Sequence, residues 1–249
     1  MPSTAPSLEE THKVHSYEVD VKRRLALPVL CQLMQEAAWN HAEQLGWGYS
    51  HLLERGLMWV LARQFIHMDA YPKWGDAITL RTWPSGRDRF FCYRDFHVLD
   101  AAARVIGGAS SAWVVVDVAK RKPARTESFI QIDDVGPLFA DRLIKLHKVT
   151  AGERVELGRV GYRDLDMNAH MNNVRYVEWI LESFPLEFHE QHQLAELSIG
   201  YLAEARHGEE IVAEHEAAGD LAFRHCVRRA EGEELCRAET RWEAFAGEE

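Results

Sequence analysis

The chain has 249 residues, 47% of them hydrophobic and 27% charged, with a formal net charge of −10. That length supports one large or two medium domains with buried cores, and no run approaches the roughly 18 apolar residues of a membrane span. The negative balance disfavours nonspecific binding to nucleic acid or to an anionic membrane.

The four cysteines, Cys31, Cys92, Cys226 and Cys236, have no CxxC spacing and no partner histidine at zinc-finger distance, so free, buried thiols and no structural metal are expected. The first seven residues lack the basic end and apolar core of a secretory signal, and the length and arginines of a transit peptide. A cytoplasmic protein is the expectation.

Residues 1–15 are polar and read as loose. Tyr17, Val19 and Val21 alternate with polar residues, which predicts a strand over 16–21. After Lys22-Arg23-Arg24 a long helix is predicted from near Ala26. Pro28 suits its first turn, Leu30, Met34, Ala38, His41 and Leu45 form a row, and Gly46 marks the stop. A short helical segment over 49–55 follows. Strands are predicted over 57–67, 77–83, 90–99 and 104–118, with Pro84-Ser85-Gly86 as a break. One helix and then antiparallel strands, without βα alternation, is an α+β pattern.

Residues 119–153 read as a linker with a helical piece over 139–146. The plan then repeats, with a strand over 155–162, a helix reaching Pro185, and strands over 194–201, 210–215, 222–229 and 235–244. Trp74-Gly75-Asp76-Ala77-Ile78 is answered by His207-Gly208-Glu209-Glu210-Ile211 at an offset of 133 (209 minus 76), which places Glu204 opposite Tyr71. A Gly-acidic turn before a strand in both halves supports duplication of one fold.

The densest chemistry is Asp164-Leu165-Asp166-Met167-Asn168-Ala169-His170-Met171-Asn172-Asn173. It runs into an amphipathic helix whose apolar face is Met171, Val174, Val177, Leu181 and Phe184. Asp164 reads as a cap or turn former, and Asn172 and Asn173 as helix caps. Asp166, Asn168 and His170 exceed what capping needs. Spaced by two, in an extended approach they face one side, an acid, an amide and an imidazole before a helix N-terminus that can hold an oxyanion. The first half has no counterpart to Asn168 and His170, so one active site per chain is expected. No Gly-x-Ser-x-Gly elbow, Walker loop or dinucleotide fingerprint occurs.

This run resembles the signature of the acyl-acyl-carrier-protein thioesterases of fatty acid synthesis: Asp-Leu-Asp-x-Asn-x-His-x-Asn-Asn, a basic residue, Tyr and a Trp-containing helix. The match is continuous from Asp164 through the helix. The resemblance implies a double hot-dog, two domains each with a long central helix wrapped by a curved antiparallel sheet. Residues 1–135 would form the acyl-pocket domain, 136–153 a linker and 154–249 the catalytic domain. The implied catalytic residues are Asp166, Asn168, His170 and Glu204. Where the family has Cys after that Glu, this chain has Ala205.

The implied reaction is hydrolysis of acyl-acyl-carrier protein to free fatty acid, without metal or organic cofactor. Glu204 and His170 would act as base on water, and Asn168 with a helix N–H would hold the oxyanion. Asp166 would orient its neighbours or attack directly. The acidic carrier would need a local basic patch: Lys22-Arg23-Arg24, Arg87 with Arg89, Lys120-Arg121-Lys122 with Arg125, or Arg142-Lys145-Lys148. Trp39, Trp47, Trp59, Met34 and Met58 read as core or as tunnel lining, and His207 and His215 as surface. An acyl-coenzyme A thioesterase and a non-catalytic acyl-binding protein are the alternatives; the Asp-x-Asn-x-His run speaks against a hot-dog dehydratase. Monomer and homodimer are both open.

Overall fold

The computed structural model describes residues 6–126, 130, 132–245 and 247. The chain divides into two compact units, Met1–Ile144 and Lys145–Glu249.

The first unit contains β1 (Leu8–Lys13), α1 (Leu27–Gln44), α2 (Tyr49–Leu53), β2 (Leu57–Met68), β3 (Ala77–Arg87), β4 (Cys92–Leu99), β5 (Val105–Asp117) and the two-residue β6 (Lys122–Pro123). Its antiparallel strands lie in the order β1-β3-β4-β5-β2, and β6 pairs with β5. Helix α1 starts at the extended Ala26, carries Pro28 in its first turn, and stops before Gly46 at φ 79°. Those are the boundaries its sequence signals dictate. It buries Leu27, Leu30, Cys31, Met34, Ala37, Ala38, His41 and Ala42.

Residues 16–21 are not a strand. The strand is β1, a polar stretch that pairs with β3 from Leu8 opposite Thr82 to Lys13 opposite Ala77. Tyr17 and Val21 point into solvent, 79% and 61% exposed, so their alternation served no buried face. Pro84-Ser85-Gly86 bends β3 without ending it: the register shifts between Pro84 and Gly86, as a bulge does. Gly107 is required by close approach, because a Cβ there would lie 2.3 Å from Met68 Sδ and 2.8 Å from His67 O.

The second unit contains β7 (Glu153–Arg159), α3 (Asn173–Leu181), α4 (Leu186–Gln191), β8 (His192–Tyr201), β9 (Glu210–Gly219), β10 (Ala222–Arg229) and β11 (Glu234–Ala244), with strand order β8-β11-β10-β9-β7. Each unit is thus a helix with an antiparallel sheet, the hot-dog plan. The second central helix is not long: α3 has 9 residues. Pro185, in extended conformation, separates it from α4, because a proline cannot continue a helix and restricts the residue before it. Met171 and Phe184 are still buried, from just outside the helix. The helical piece expected over 139–146 is a single turn, Ala140–Arg142.

His215 is not a surface residue. Its ring lies 4.8 Å from that of Phe184, in a cluster with Phe188, Phe223, His225 and Trp242. His225 donates to or accepts from Thr240 Oγ1 at 2.8 Å, and burial pushes its pKa down to about 3. In the first unit Arg94 donates to His41 Nδ1 at 3.0 Å and to Thr82 Oγ1 at 3.1 Å. Burial, and then the Arg94 charge, push His41 down to about 4. Asp95 accepts from Ser110 Oγ at 2.6 Å and from the Leu138 N–H at 2.9 Å, and burial pushes it up to about 6.

These shifts set an acid response. Below pH 6.5 the unfolded chain protonates both histidines while the fold keeps them neutral, so stability is lost as pH falls. Asp95 opposes this between about pH 4 and 6, since the fold holds a proton the unfolded chain has released. For these three groups one net proton remains, worth about 1.4 kcal/mol per pH unit between pH 6 and 4, and His97 and His215, also held down by burial, add to the loss. Denaturant midpoints at pH 7 and pH 5 will show the loss; equal or greater stability at pH 5 contradicts it.

Among the described residues no helix is long and apolar enough to cross a membrane. All four cysteines are free and buried, as expected.

Candidate active site

β7 leads through Val160 to a tight turn, Tyr162–Asp164, and then to a loop that pairs Leu165 with Met171. Asp164 closes the turn, accepting the Gly161 N–H at 2.8 Å, with Arg163 and Arg175 at 3.7 and 3.8 Å from its other oxygen. This is the turn role its position predicted.

Asp166 organises the loop itself. Its Oδ1 accepts the N–H groups of Asn168 (2.8 Å) and His170 (3.1 Å), and its own N–H donates to His170 O at 2.8 Å. Ala169 takes φ 61° to make the turn. The approach to the helix is therefore a closed turn, not an extended segment. Asn168 stands exposed at its tip with Nδ2 3.4 Å from Asp166 Oδ2. His170 instead turns to the neighbouring segment, where its Nε2 lies 3.4 Å from Glu204 Oε2. The side chains are 24% and 40% exposed, so the pair is open to a substrate.

Glu204 is held by its backbone. It follows β8, where the Leu202 and Ala203 N–H groups both donate to Leu235 O. Arg229 donates to Glu204 O at 2.6 Å and to Glu209 Oε2 at 2.9 Å. The hydroxyl of the buried Tyr176 accepts the Ala205 N–H at 3.0 Å and donates to Ala203 O at 3.3 Å. Met171 N–H donates to Ala205 O at 2.8 Å, which stitches the histidine loop to the glutamate segment. Asn172 caps α3 by accepting the Val174 N–H at 2.9 Å, so that helix N–H is engaged within the protein.

All four expected residues thus lie in one place, as two side-chain pairs, His170 with Glu204 and Asn168 with Asp166. Sequence reasoning passed over Tyr176 and Arg229 as positioning residues. Tyr176 carried a signal, as the tyrosine of the signature itself. Arg229, at the end of a distant strand, carried none.

Ala205 is fully buried, with both backbone groups bonded as above. A thiol at that position would sit away from solvent, and burial pushes the Cys92 and Cys226 thiols up to about 11. Neither of these thiols supplies a thiolate at neutral pH. Ala205→Cys will leave kcat within about twofold of wild type; a gain of tenfold or more would show that a cysteine there takes part.

The first unit repeats this loop at an offset of 146 (166 minus 20). Asp20 Oδ1 accepts the Lys22 and Arg24 N–H groups at 2.9 and 3.1 Å, its N–H donates to Arg24 O at 2.8 Å, and Arg23 has φ 59°. Bridges Val19–Leu25 and Arg24–Lys73 match Leu165–Met171 and His170–Arg206. Lysine and arginine stand where Asn168 and His170 stand, and Tyr71 where Glu204 stands. The backbone of the site is duplicated and its chemistry is not.

Residues 6–131 match the family model of the acyl-ACP thioesterase N-terminal domain, and 147–244 that of the C-terminal domain. An acyl-[acyl-carrier-protein] hydrolase of Cuphea viscosissima is 28% identical over 95% of this chain and 62% of its own length. A palmitoyl-acyl carrier protein thioesterase of Gossypium hirsutum is 28% identical over 94% of this chain and 63% of its own. The chain therefore spans less than two thirds of those relatives. The solved structure of an acyl-ACP thioesterase from Bacteroides thetaiotaomicron superposes with a TM-score of 0.87 at 28% identity, covering 95% of this chain and 98% of that one. The 12:0-ACP thioesterase of Umbellularia californica shares the fold, with a TM-score of 0.85 at 24% identity and coverage of 96% and 98%.

Proposed function

The chain belongs to the acyl-ACP thioesterase family, and on that premise we propose that it hydrolyses the thioester of acyl-acyl-carrier protein to release free fatty acid. The observation that carries this reading is the His170–Glu204 pair, 3.4 Å apart and open to solvent on two segments bonded to each other. Asn168, His170 and Glu204 touch the reacting groups, and Asp166 holds the loop. The acyl pocket belongs to residues 1–135 and the chemistry to 154–249, joined by 136–153; the resemblance supports this division.

Glu204 takes a proton from a water molecule as the water oxygen bonds to the thioester carbonyl carbon. The carbonyl electron pair moves onto oxygen, where the Asn168 amide donates to it. When the pair returns, the carbon–sulfur bond breaks. His170 delivers the proton from Glu204 to the departing sulfur, so acid and thiol leave and the pair is restored. Asp166 makes the same backbone bonds as Asp20, which stands in a loop without the imidazole or the amide. Its carboxylate is thus fully explained as a positioning group.

An acidic carrier calls for exposed basic groups. Lys22 is mostly buried and 3.5 Å from Asp20, and Lys120 is paired with Asp117, which leaves Arg89 beside the exposed Phe90, and the exposed Arg142, Lys145 and Lys148, as the better docking points. The test is one acyl chain offered on carrier protein and on coenzyme A. kcat/KM at least tenfold higher on the carrier supports the assignment; equal or reversed preference makes this a coenzyme A thioesterase.

A further inference from the structure

We propose that His12, His15 and Glu18 form a binding site for a late first-row divalent cation, of which Zn2+ is the representative, with water completing its coordination. The site lies in the first unit. It joins β1, the first strand in that unit's sheet order, to the turn that precedes the non-catalytic copy of the active-site loop.

The donors already converge. His12 Nε2 lies 2.8 Å from Glu18 Oε2 and His15 Nδ1 lies 3.1 Å from the same oxygen, and the three ligand atoms fall within 4.8 Å of one another. Two donors each about 2.1 Å from a shared zinc ion stand about 3.0–3.4 Å apart, so small side-chain movements admit the ion. Imidazole nitrogens with a carboxylate select zinc, nickel or copper over magnesium and calcium, which take oxygen donors. In the bound state each imidazole gives the lone pair of the nitrogen nearest Oε2 to the ion and carries its single proton on its other nitrogen.

Glu18 is well prepared for the role. Its side chain is 11% exposed, and Oε2 also accepts the His15 backbone N–H at 2.8 Å. The surrounding hydrogen bonds hold it below the usual carboxylate range against the opposing effect of burial, so it is ionised at neutral pH. His15 is steadied from outside by Tyr17, whose ring stacks on it at 5.3 Å with an interplanar angle of 2°.

The duplicated unit shows that the fold does not ask for these histidines. At the offset of 146 (164 minus 18), Glu18 corresponds to Asp164, His15 to Gly161 and His12 to Gly158. The register agrees, with His12 opposite Ile78 in one unit and Gly158 opposite Ile211 in the other. Asp164 closes its turn through Gly161 N–H as Glu18 does through His15 N–H, at 2.8 Å in both. The turn forms with glycine at both histidine positions and with arginines about the carboxylate. Two imidazoles aimed at one carboxylate oxygen are therefore an addition peculiar to the first unit, and metal ligation is the function that uses all three groups. The cysteine spacing that argued against a metal had no bearing on this His-x-x-His-x-x-Glu run.

The experiment is calorimetric titration of the chelator-treated full chain with Zn2+, alongside Co2+ as a spectroscopic probe. One tight site per chain, a visible Co2+ absorption band and a Tm increase of about 5 °C at saturation are expected. His15→Ala, on an exposed side chain, and Glu18→Gln, which still accepts the backbone N–H, should each weaken binding at least tenfold and abolish the Tm increase. Circular dichroism confirms that both variants fold. No tight site in the wild type overturns the proposal, as does unchanged affinity in a His12→Ala/His15→Ala double variant, which would locate the ion elsewhere.

Discussion

Replacing His170 with alanine will lower kcat on acyl-acyl-carrier protein about 10²-fold or more, with stability unchanged within about 1 kcal/mol. The imidazole is partly exposed, and the loop is held by backbone groups that the substitution keeps: His170 N–H to Asp166, His170 O to Asp166 N–H, and Met171 N–H to Ala205 O. The loss should fall on kcat more than on KM, since the ring acts on the reacting atoms and not on the acyl chain. Glu204→Gln removes the base and should fall to a similar level. Because the two side chains work as one pair, the double variant should be little worse than either single variant. Wild-type-like turnover in His170→Ala would remove the imidazole from the mechanism.

Asp166→Ala and Asp166→Asn should differ sharply. Alanine leaves the Asn168 and His170 N–H groups without their acceptor, which costs about 1–2 kcal/mol in stability and about 10²-fold in kcat as both side chains lose their placement. Asparagine keeps an oxygen at the same place, so both backbone bonds survive and kcat should stay within about tenfold of wild type. A carboxylate that attacks the thioester to form an anhydride permits no such rescue. If Asp166→Asn is as inactive as Asp166→Ala while its fold and melting temperature match the wild type, Asp166 is the nucleophile.

Much of this structure was legible in the sequence wherever a residue pattern and its burial coincide. Pro28, the Leu30–Met34–Ala38–His41 row and Gly46 mark α1 because each signal acts locally. Strand β1 was not legible. Leu-Glu-Glu-Thr-His-Lys has little apolar content and becomes a strand through pairing with β3, a tertiary effect. Tyr17-x-Val19-x-Val21 misled in the opposite sense, since alternation predicts a strand only if one face is buried.

At the site, Asp166, Asn168 and His170 announce themselves through a run too polar for capping alone. Glu204 stood out only by its place in the family pattern. Arg229 and the bond from Tyr176 to the glutamate segment depend on contacts distant in sequence, and no spacing rule reaches them. The Gly-acidic repeat hinted at a duplication, but only the hydrogen bonds of Asp20 and Asp166 reveal that the loop's backbone bonding is repeated while the Asn and His side chains stand in the second unit.

The measurement that bears most directly on the hydrolase reading is release of thiol and free fatty acid from acyl-acyl-carrier protein by the purified chain, across a series of acyl lengths. Equimolar thiol and acid, with turnover lost in His170→Ala, is the expected result. No release from any acyl length, with acyl chains bound but intact, would contradict it and make the protein an acyl-binding relative of the enzymes whose fold it shares.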